Sequence, residues 1–261
     1  MAKLRCNEID LYYEIIGQGE PIVFVHGLGS SVRDWEFQID DFSRRYQVVV
    51  FDVRGHGHSD KPPGPYSIPL FARDTAEMIR ALDIAPAHVV GISMGGMIAL
   101  QLAADERELV RSLVVVNSGS EMIVRTMKER LAVMQRLLIV RLLGMRKMGE
   151  VLGGRLFPKP EQQEFRKMFA DRWAENDPRA YRDAMRAIVG WTVTEQLHRI
   201  ECPTLVIAAE HDYAPTEDKA VLANGIKNAE LVIIEDSRHA TPVDQPEQFN
   251  KVLNAFLERQ T

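Results

Sequence analysis

The stretch HVVGISMGGMIAL, residues 88–100, passes from an apolar run ending at Gly91 into a helix-like pattern, with a lone serine, Ser93, at the turn between glycines. The plain reading is a strand-to-helix connection, because glycine tolerates a tight backbone and serine can cap a helix. The second reading is a nucleophile. A turn this sharp lifts the hydroxyl clear of a sheet and aims it at a helix N-terminus, where free N–H groups and the dipole favour developing negative charge. The thirteen residues leave both readings open, and the rest of the chain has to separate them.

Strand runs and helical periods alternate on either side. LRCNEIDLYYEII reads as an opening antiparallel pair; PIVFV (21–25), QVVVF (47–51), HVVGI (88–92), SLVVVN (112–117), PTLVIAA (203–209) and ELVIIE (230–235) read as further strands. Helical periods lie near 34–44, 69–82, 94–105, 217–226 and 246–258, the last carrying one stripe of Phe249, Val252, Leu253, Phe256 and Leu257. Such alternation predicts an α/β fold, a mostly parallel eight-stranded sheet with helices on both faces. Residues 118–200 break the alternation: Met127, Leu131, Met134 and Leu138 share one helical face, Phe165, Met168, Phe169 and Trp173 another, and Asp177-Pro178 opens a third helix. We therefore expect a core of residues 1–117 and 201–261, interrupted by a helical cap at 118–200.

Composition narrows the class. With 261 residues the chain can bury a sizeable core, and a net charge of −5 argues against a protein built to neutralise nucleic-acid phosphates. Cys6 and Cys202 have no C-x-x-C spacing, which suggests neither a disulfide framework nor a zinc ribbon. The opening MAKLRCNEID has no signal-like apolar stretch, and no run approaches the roughly 18 apolar residues of a membrane span, so a cytoplasmic protein acting on small molecules is expected. Nothing in the sequence indicates an oligomeric state.

A serine hydroxyl is a poor nucleophile near neutral pH and requires a histidine base and a group to orient it. His239 lies in EDSRHATPVDQPEQF, after the last strand; Asp212 lies in LVIAAEHDYAP, just beyond the strand before it. Both belong to the C-terminal edge of a parallel sheet, as does Ser93, so loops distant in sequence can converge there. The loop VFVHGLGSS turns at the same edge, where the Leu28 backbone and the Met94 N–H can face the charged oxygen of a tetrahedral intermediate. His26 in that loop reads as structural.

The stretches HGLGSS, FDVRGHGHSD, GISMGG, AAEHDYAP and RHATPVDQPEQF, in this order and spacing, resemble the α/β-hydrolase family over nearly the whole chain. The resemblance implies Ser93 as nucleophile, Asp212 as acid, His239 as base and the backbone of Leu28 and Met94 as oxyanion donors, with no metal or organic cofactor. Two departures are small: Arg238 precedes the histidine where glycine is common, and Ala209 ends the acid's strand. Serine at the elbow points to a serine esterase or lactonase. SDKPPGPYSI with GISMGGMIAL is similar to 3-oxoadipate enol-lactonases, and haloperoxidase-like esterases share the frame. A carbon–carbon bond hydrolase, a perhydrolase and a non-catalytic small-molecule binder on the same scaffold are the alternatives.

Two competing motifs are weaker. IVFVHGLGSSVRDW followed by VVVFD imitates a dinucleotide fingerprint, but Val32 replaces its third glycine. The run His56-x-His58-x-Asp60 resembles a metal-ligand set, yet Lys61 follows where another histidine is wanted. In the cap, residues 120–155 carry a net charge of +5. That segment can line an acyl pocket while its basic face meets an anionic head group or membrane surface; an ordinary amphipathic cap with a solvated basic face is the expectation.

Overall fold

Strand propensity and alternation build the sheet that the sequence predicts. The computed structural model describes residues 2–214 and 216–260. Eight strands, β1 (Ala2–Cys6), β2 (Ile9–Ile16), β3 (Glu20–Val25), β4 (Tyr46–Phe51), β5 (Ala87–Ile92), β6 (Val110–Val116), β7 (Thr204–Ala209) and β8 (Ala229–Ile234), lie in the order β1-β2-β4-β3-β5-β6-β7-β8. β1 pairs antiparallel with β2, and β2 with β4; every later pairing is parallel. This is the mostly parallel, eight-stranded sheet expected.

Successive strand residues serve opposite faces. Val23, Val25, Val49 and Phe51 join one buried cluster with Met78, Ile79, Ile98, Leu102 and Leu222, while Ile22, Phe24, Val48 and Val50 join another with Trp35, Phe42, Phe249 and Leu253. Helices α2 (Ile68–Ala81), α3 (Met94–Asp105) and, beyond β7, α7 (Thr216–Gly225) therefore cover the first face. Helices α1 (Glu36–Phe42) and, after β8, α8 (Pro246–Leu257) cover the second. Both faces are covered, which explains why the central strands are apolar throughout instead of alternating. Local signals set the helix starts: the Ser67 hydroxyl accepts from the Leu70 N–H at 3.2 Å, with Pro69 in the first turn of α2.

Between β6 and β7 the chain leaves the sheet through a narrow neck. The Met122 N–H donates to Trp191 O, the Gly190 N–H to Met122 O and the Val193 N–H to Ser120 O, so the outgoing and returning segments are stitched together. Beyond the neck lie α4 (Met127–Leu156), α5 (Gln163–Ala174) and α6 (Pro178–Ile188). A reciprocal capping box between Thr126 and Glu129 starts α4, and Gly144, with φ 81° and ψ 177°, breaks it in two. The second half packs against α5, where Gly149 leaves room for Trp173 and Ala170. Asp177 caps α6 through the Ala180 N–H at 2.7 Å, ahead of Pro178.

Face assignments in the cap need one correction. Met127, Leu131, Met134 and Leu138 do share a helical face, but each is more than half exposed, so that face lines no pocket. Among the described residues no helix is long and apolar enough to cross a membrane.

Candidate active site

At the end of β5 the backbone turns so sharply that Ser93 adopts φ 54° and ψ −116°. A non-glycine residue held there costs about 1–3 kcal/mol, which the surroundings must overrule. Crowding explains the flanking glycines: a Cβ on Gly91 would overlap the Gly95 carbonyl, and one on Gly95 would overlap the Val25 carbonyl. The turn is pinned by the Ser93 N–H to Val116 O at 2.9 Å and by the Ser118 hydroxyl to Ser93 O at 2.8 Å. Ser93 thus stands at the N-terminus of α3 with its side chain accessible.

Asp212 and His239, 27 residues apart, meet at the same sheet edge. The His239 Nδ1–H donates to Asp212 Oδ1 at 2.7 Å. The Lys219 ammonium, from α7, donates to Asp212 Oδ2 at 2.7 Å and to Ala214 O at 2.7 Å, and both charged side chains are only 1 % exposed. Burial pushes the Asp212 carboxyl up, but the bonds from His239 and Lys219 outweigh it and hold the group below the usual carboxylate range. Asp212 is therefore an anion that grips the imidazole through one oxygen and is itself gripped through the other.

The far side of the imidazole is not bonded to Ser93. Instead the Tyr213 hydroxyl donates to His239 Nε2 at 2.6 Å, its ring stacked on the imidazole at 4.0 Å, and the same hydroxyl interacts with the Ser93 side chain. Tyr213 stands between the two groups that the sequence reading pairs directly. Tyr213 is exposed as a whole residue, and desolvation of its hydroxyl raises its pKa, so it is a neutral donor.

Asn117 closes this edge. Directly after β6, at φ 46°, it donates to His239 O at 2.9 Å and to Thr241 Oγ1 at 2.7 Å, and it accepts from the Ala209 N–H at 2.8 Å. One buried amide so ties the ends of β6 and β7 to the histidine loop. Asparagine suits the place because it tolerates positive φ and offers both donor and acceptor.

The loop at 27–29 lies against Ser93: a Cβ on Gly27 would sit 3.6 Å from Ser93 Cβ. Neither the Leu28 nor the Met94 N–H donates elsewhere among the hydrogen bonds of the described residues, which leaves both donors available beside the serine. Gly29, at φ 75°, passes beneath the Trp173 and Tyr181 rings, and Asn176 holds its carbonyl at 2.8 Å. Asp34 caps the loop from below, accepting from the Gly27 N–H at 3.3 Å and from the Ser30 hydroxyl; burial pushes its carboxyl up to about 6.

The cap contributes a cation. Arg136 turns inward from α4, its Nε donating to the Tyr181 hydroxyl at 2.5 Å and its guanidinium lying 5.6 Å from the Tyr181 ring and 5.9 Å from that of Trp173. It forms no ion pair among the described residues, and its charge acts on the Tyr213 hydroxyl beside Ser93. By sequence it counts among the basic residues of a solvated face; in the structure it belongs to the wall of the site.

The competing motifs resolve structurally. Asp52 is fully buried and accepts from the Val32 and His58 N–H groups, so it faces no ribose. His26 is buried, donating to Gly27 O and accepting from the Val53 N–H, the structural role expected of it. His56 is buried beside it, bonded to Arg54 O, while Asp60 holds the Asp10 N–H. Among the described residues no group of three or more His, Cys, Asp or Glu side chains is arranged to hold a metal ion.

A family model described as the alpha/beta hydrolase fold matches residues 20–246. The chain is 30% identical over 262 residues to 3-oxoadipate enol-lactonase 2 of Acinetobacter baylyi, covering 98% of this chain and 96% of that one. It is 30% identical over 270 residues to (E)-2-((N-methylformamido)methylene)succinate hydrolase of the same organism, covering 98% and 97%. Among solved structures, the enol-lactonase from Burkholderia xenovorans LB400 superposes with a TM-score of 0.91 at 26% identity, over 98% of this chain and 100% of the other.

Proposed function

The chain belongs to the α/β-hydrolase fold family, and from that we propose that it hydrolyses a carboxylic ester or lactone carrying an anionic group, through an acyl-enzyme on Ser93. The observation that carries the reading is the Asp212–His239 contact of 2.7 Å beside a serine held at φ 54°. Asp212 fixes the tautomer with the proton on Nδ1, which leaves Nε2 as the base. Entry of substrate displaces the Tyr213 hydroxyl from Nε2, and the Ser93 Oγ–H takes its place. Ser93 Oγ then attacks the carbonyl carbon while its proton passes to Nε2. The Leu28 and Met94 N–H groups receive the developing oxyanion. The imidazolium protonates the leaving oxygen, the ester bond breaks, and water activated by the same nitrogen releases the acid and restores Ser93.

Arg136 supports the anionic part of the proposal. An unpaired guanidinium set among aromatic rings above the serine suits a carboxylate, which it can grip with two parallel bonds. The names of the enol-lactonase and succinate hydrolase relatives are consistent with substrates of that kind. Labelling by a fluorophosphonate probe, followed by a rate profile over aryl esters of increasing acyl length and a carboxylated lactone, tests the reading. Stoichiometric labelling at Ser93 and a preference for the anionic lactone are expected; a folded protein that neither labels nor cleaves an activated ester overturns it.

A further inference from the structure

We infer that the outer face of α4 is a docking surface for an anionic lipid bilayer. Of the eleven large hydrophobic side chains that the described residues expose, six lie between positions 127 and 143 of this one helix: Met127, Leu131, Met134, Leu138, Leu142 and Leu143. At about 100° per residue, the first five fall within roughly 40° of a single line, a stripe about 22 Å long. Arg136 lies on the opposite side of the helix, bonded to Tyr181, so the stripe faces away from the site. Exposed apolar side chains scattered over a surface need no explanation; a continuous row over four turns does.

Charge selects the occupant. Arg130 and Arg141 border the stripe on one side and Lys128 on the other; all three are exposed, and none forms an ion pair among the described residues. The acidic side chains nearby are engaged, Glu121 by Arg125 and Glu129 in the capping box. The segment 120–155 holds a net +5 in a chain of −5. An apolar row with cationic margins is the pattern of a helix lying in the plane of a membrane interface, apolar side chains among acyl chains and basic ones at phosphate depth. A second copy is a poorer fit, since pairing two stripes about a twofold axis sets unpaired cation against unpaired cation. Docking by this face leaves the inner face of α4 over Ser93, and it does not depend on the bond that the site cleaves.

Vesicle co-sedimentation tests the inference. Wild-type protein should sediment with vesicles of equimolar phosphatidylcholine and phosphatidylglycerol, and far less with phosphatidylcholine alone or at high salt. The double substitution Leu131→Gln, Leu138→Gln should weaken partition on the order of tenfold or more, and Arg130→Gln, Arg141→Gln should weaken it about tenfold on the anionic vesicles only. Both doubles replace exposed side chains, and an unchanged melting temperature checks that each stays folded. Wild-type protein that stays in the supernatant with anionic vesicles overturns the inference, as does sedimentation that the Leu substitutions leave intact. A solution dimer, seen by light scattering and broken by the Leu substitutions in protein that ignores vesicles, also overturns it by making a second copy the occupant.

Discussion

The sheet edge and the cap build the same site by different means. At the edge, Asp212, His239 and Asn117 are each held by two or more short bonds from separate loops, and the backbone of the Ser93 turn is held from two sides. In the cap, Arg136 depends on one hydrogen bond and two ring faces, and the helix that carries it breaks at Gly144. A network with several anchors per group fixes geometry to the fraction of an ångström that chemistry requires, whereas a single helix face can be repacked while the chemistry stays in place. Substitutions at the edge should therefore abolish turnover, and substitutions in the cap should redirect it.

The largest effect should come from the turn itself. Ser93→Ala should lower kcat on the order of 10⁶-fold, the loss seen when a triad acts as one unit. Steady-state turnover of an activated aryl ester measures it, and near-normal activity would assign the chemistry to another group.

Next is the buried cation behind Asp212, the proposed acid. Lys219→Met removes one of the bonds that hold the Asp212 carboxyl low, so its pKa rises. Turnover should fall about a hundredfold, and the acid limb of the kcat/KM profile should move to higher pH. Stability changes alongside, by linkage: the depressed folded pKa of Asp212 contributes stability that is present above the unfolded value and lost as pH falls through the folded one, and the variant forfeits part of it. An unmoved acid limb would make Lys219 a packing residue only.

In the cap, Arg136→Met should raise KM for an anionic ester or lactone about tenfold to a hundredfold while leaving a neutral aryl ester nearly unchanged. A loss that falls equally on both substrates would place Arg136 in support of the fold and detach the anionic group from the proposed substrate.

These residues also mark what the sequence makes legible. Strand runs, their order and the loops that leave their C-terminal ends are written in apolar patterning, so Ser93, Asp212 and His239 can be gathered at one edge from the sequence alone. Lys219 cannot, because TEDKAVLANG reads as a solvated helix start, and burial of its lysine arises only when α7 folds across β7. Asn117 is hidden for the same reason: a single polar residue after a strand looks like any loop opening, and its partners lie 92 to 124 residues away. Arg136 is misread outright. In a helix rich in arginine and leucine, periodicity says which residues share a face but not which face turns inward, and here the basic residue faces the site while the apolar stripe faces out.

Beneath the site, the buried histidine pair offers a smaller test of how tightly the edge is built. Burial holds His26 down at about 4 and His56 at about 3, below the 6.5 of an exposed histidine. Each contributes stability that is complete above about 6.5 and lost as pH falls toward its folded value, at about 1.4 kcal/mol per pH unit. Asp34, raised to about 6, works in the opposite sense over part of that range, so the informative quantity is a difference. Urea titrations between pH 6 and pH 4 should give His56→Leu a slope of stability against pH shallower than wild type by about 1.4 kcal/mol per unit. Equal slopes would mean that His56 takes up its proton without unfolding, and that the floor of the site admits water.

The smallest effect belongs to the residue where edge and cap meet. Tyr213 follows Asp212 in sequence, yet its hydroxyl occupies Nε2 of His239, the proposed base, and the Arg136 charge acts on it. Its bond to Nε2 has to break before Ser93 can hydrogen-bond there, and a neutral hydrogen bond of this kind has a net worth of about 0.5–1.5 kcal/mol. Removing it with Tyr213→Phe should raise kcat/KM about twofold to tenfold, since the ring stays stacked on the imidazole while the competitor for Nε2 is gone. A phenol that instead relays the proton between Ser93 and His239 gives the opposite sign, because phenylalanine would then cost turnover outright. Pre-steady-state acylation of the variant separates the two: a faster burst makes Tyr213 a plug that substrate expels, and a slower one makes it part of the proton path.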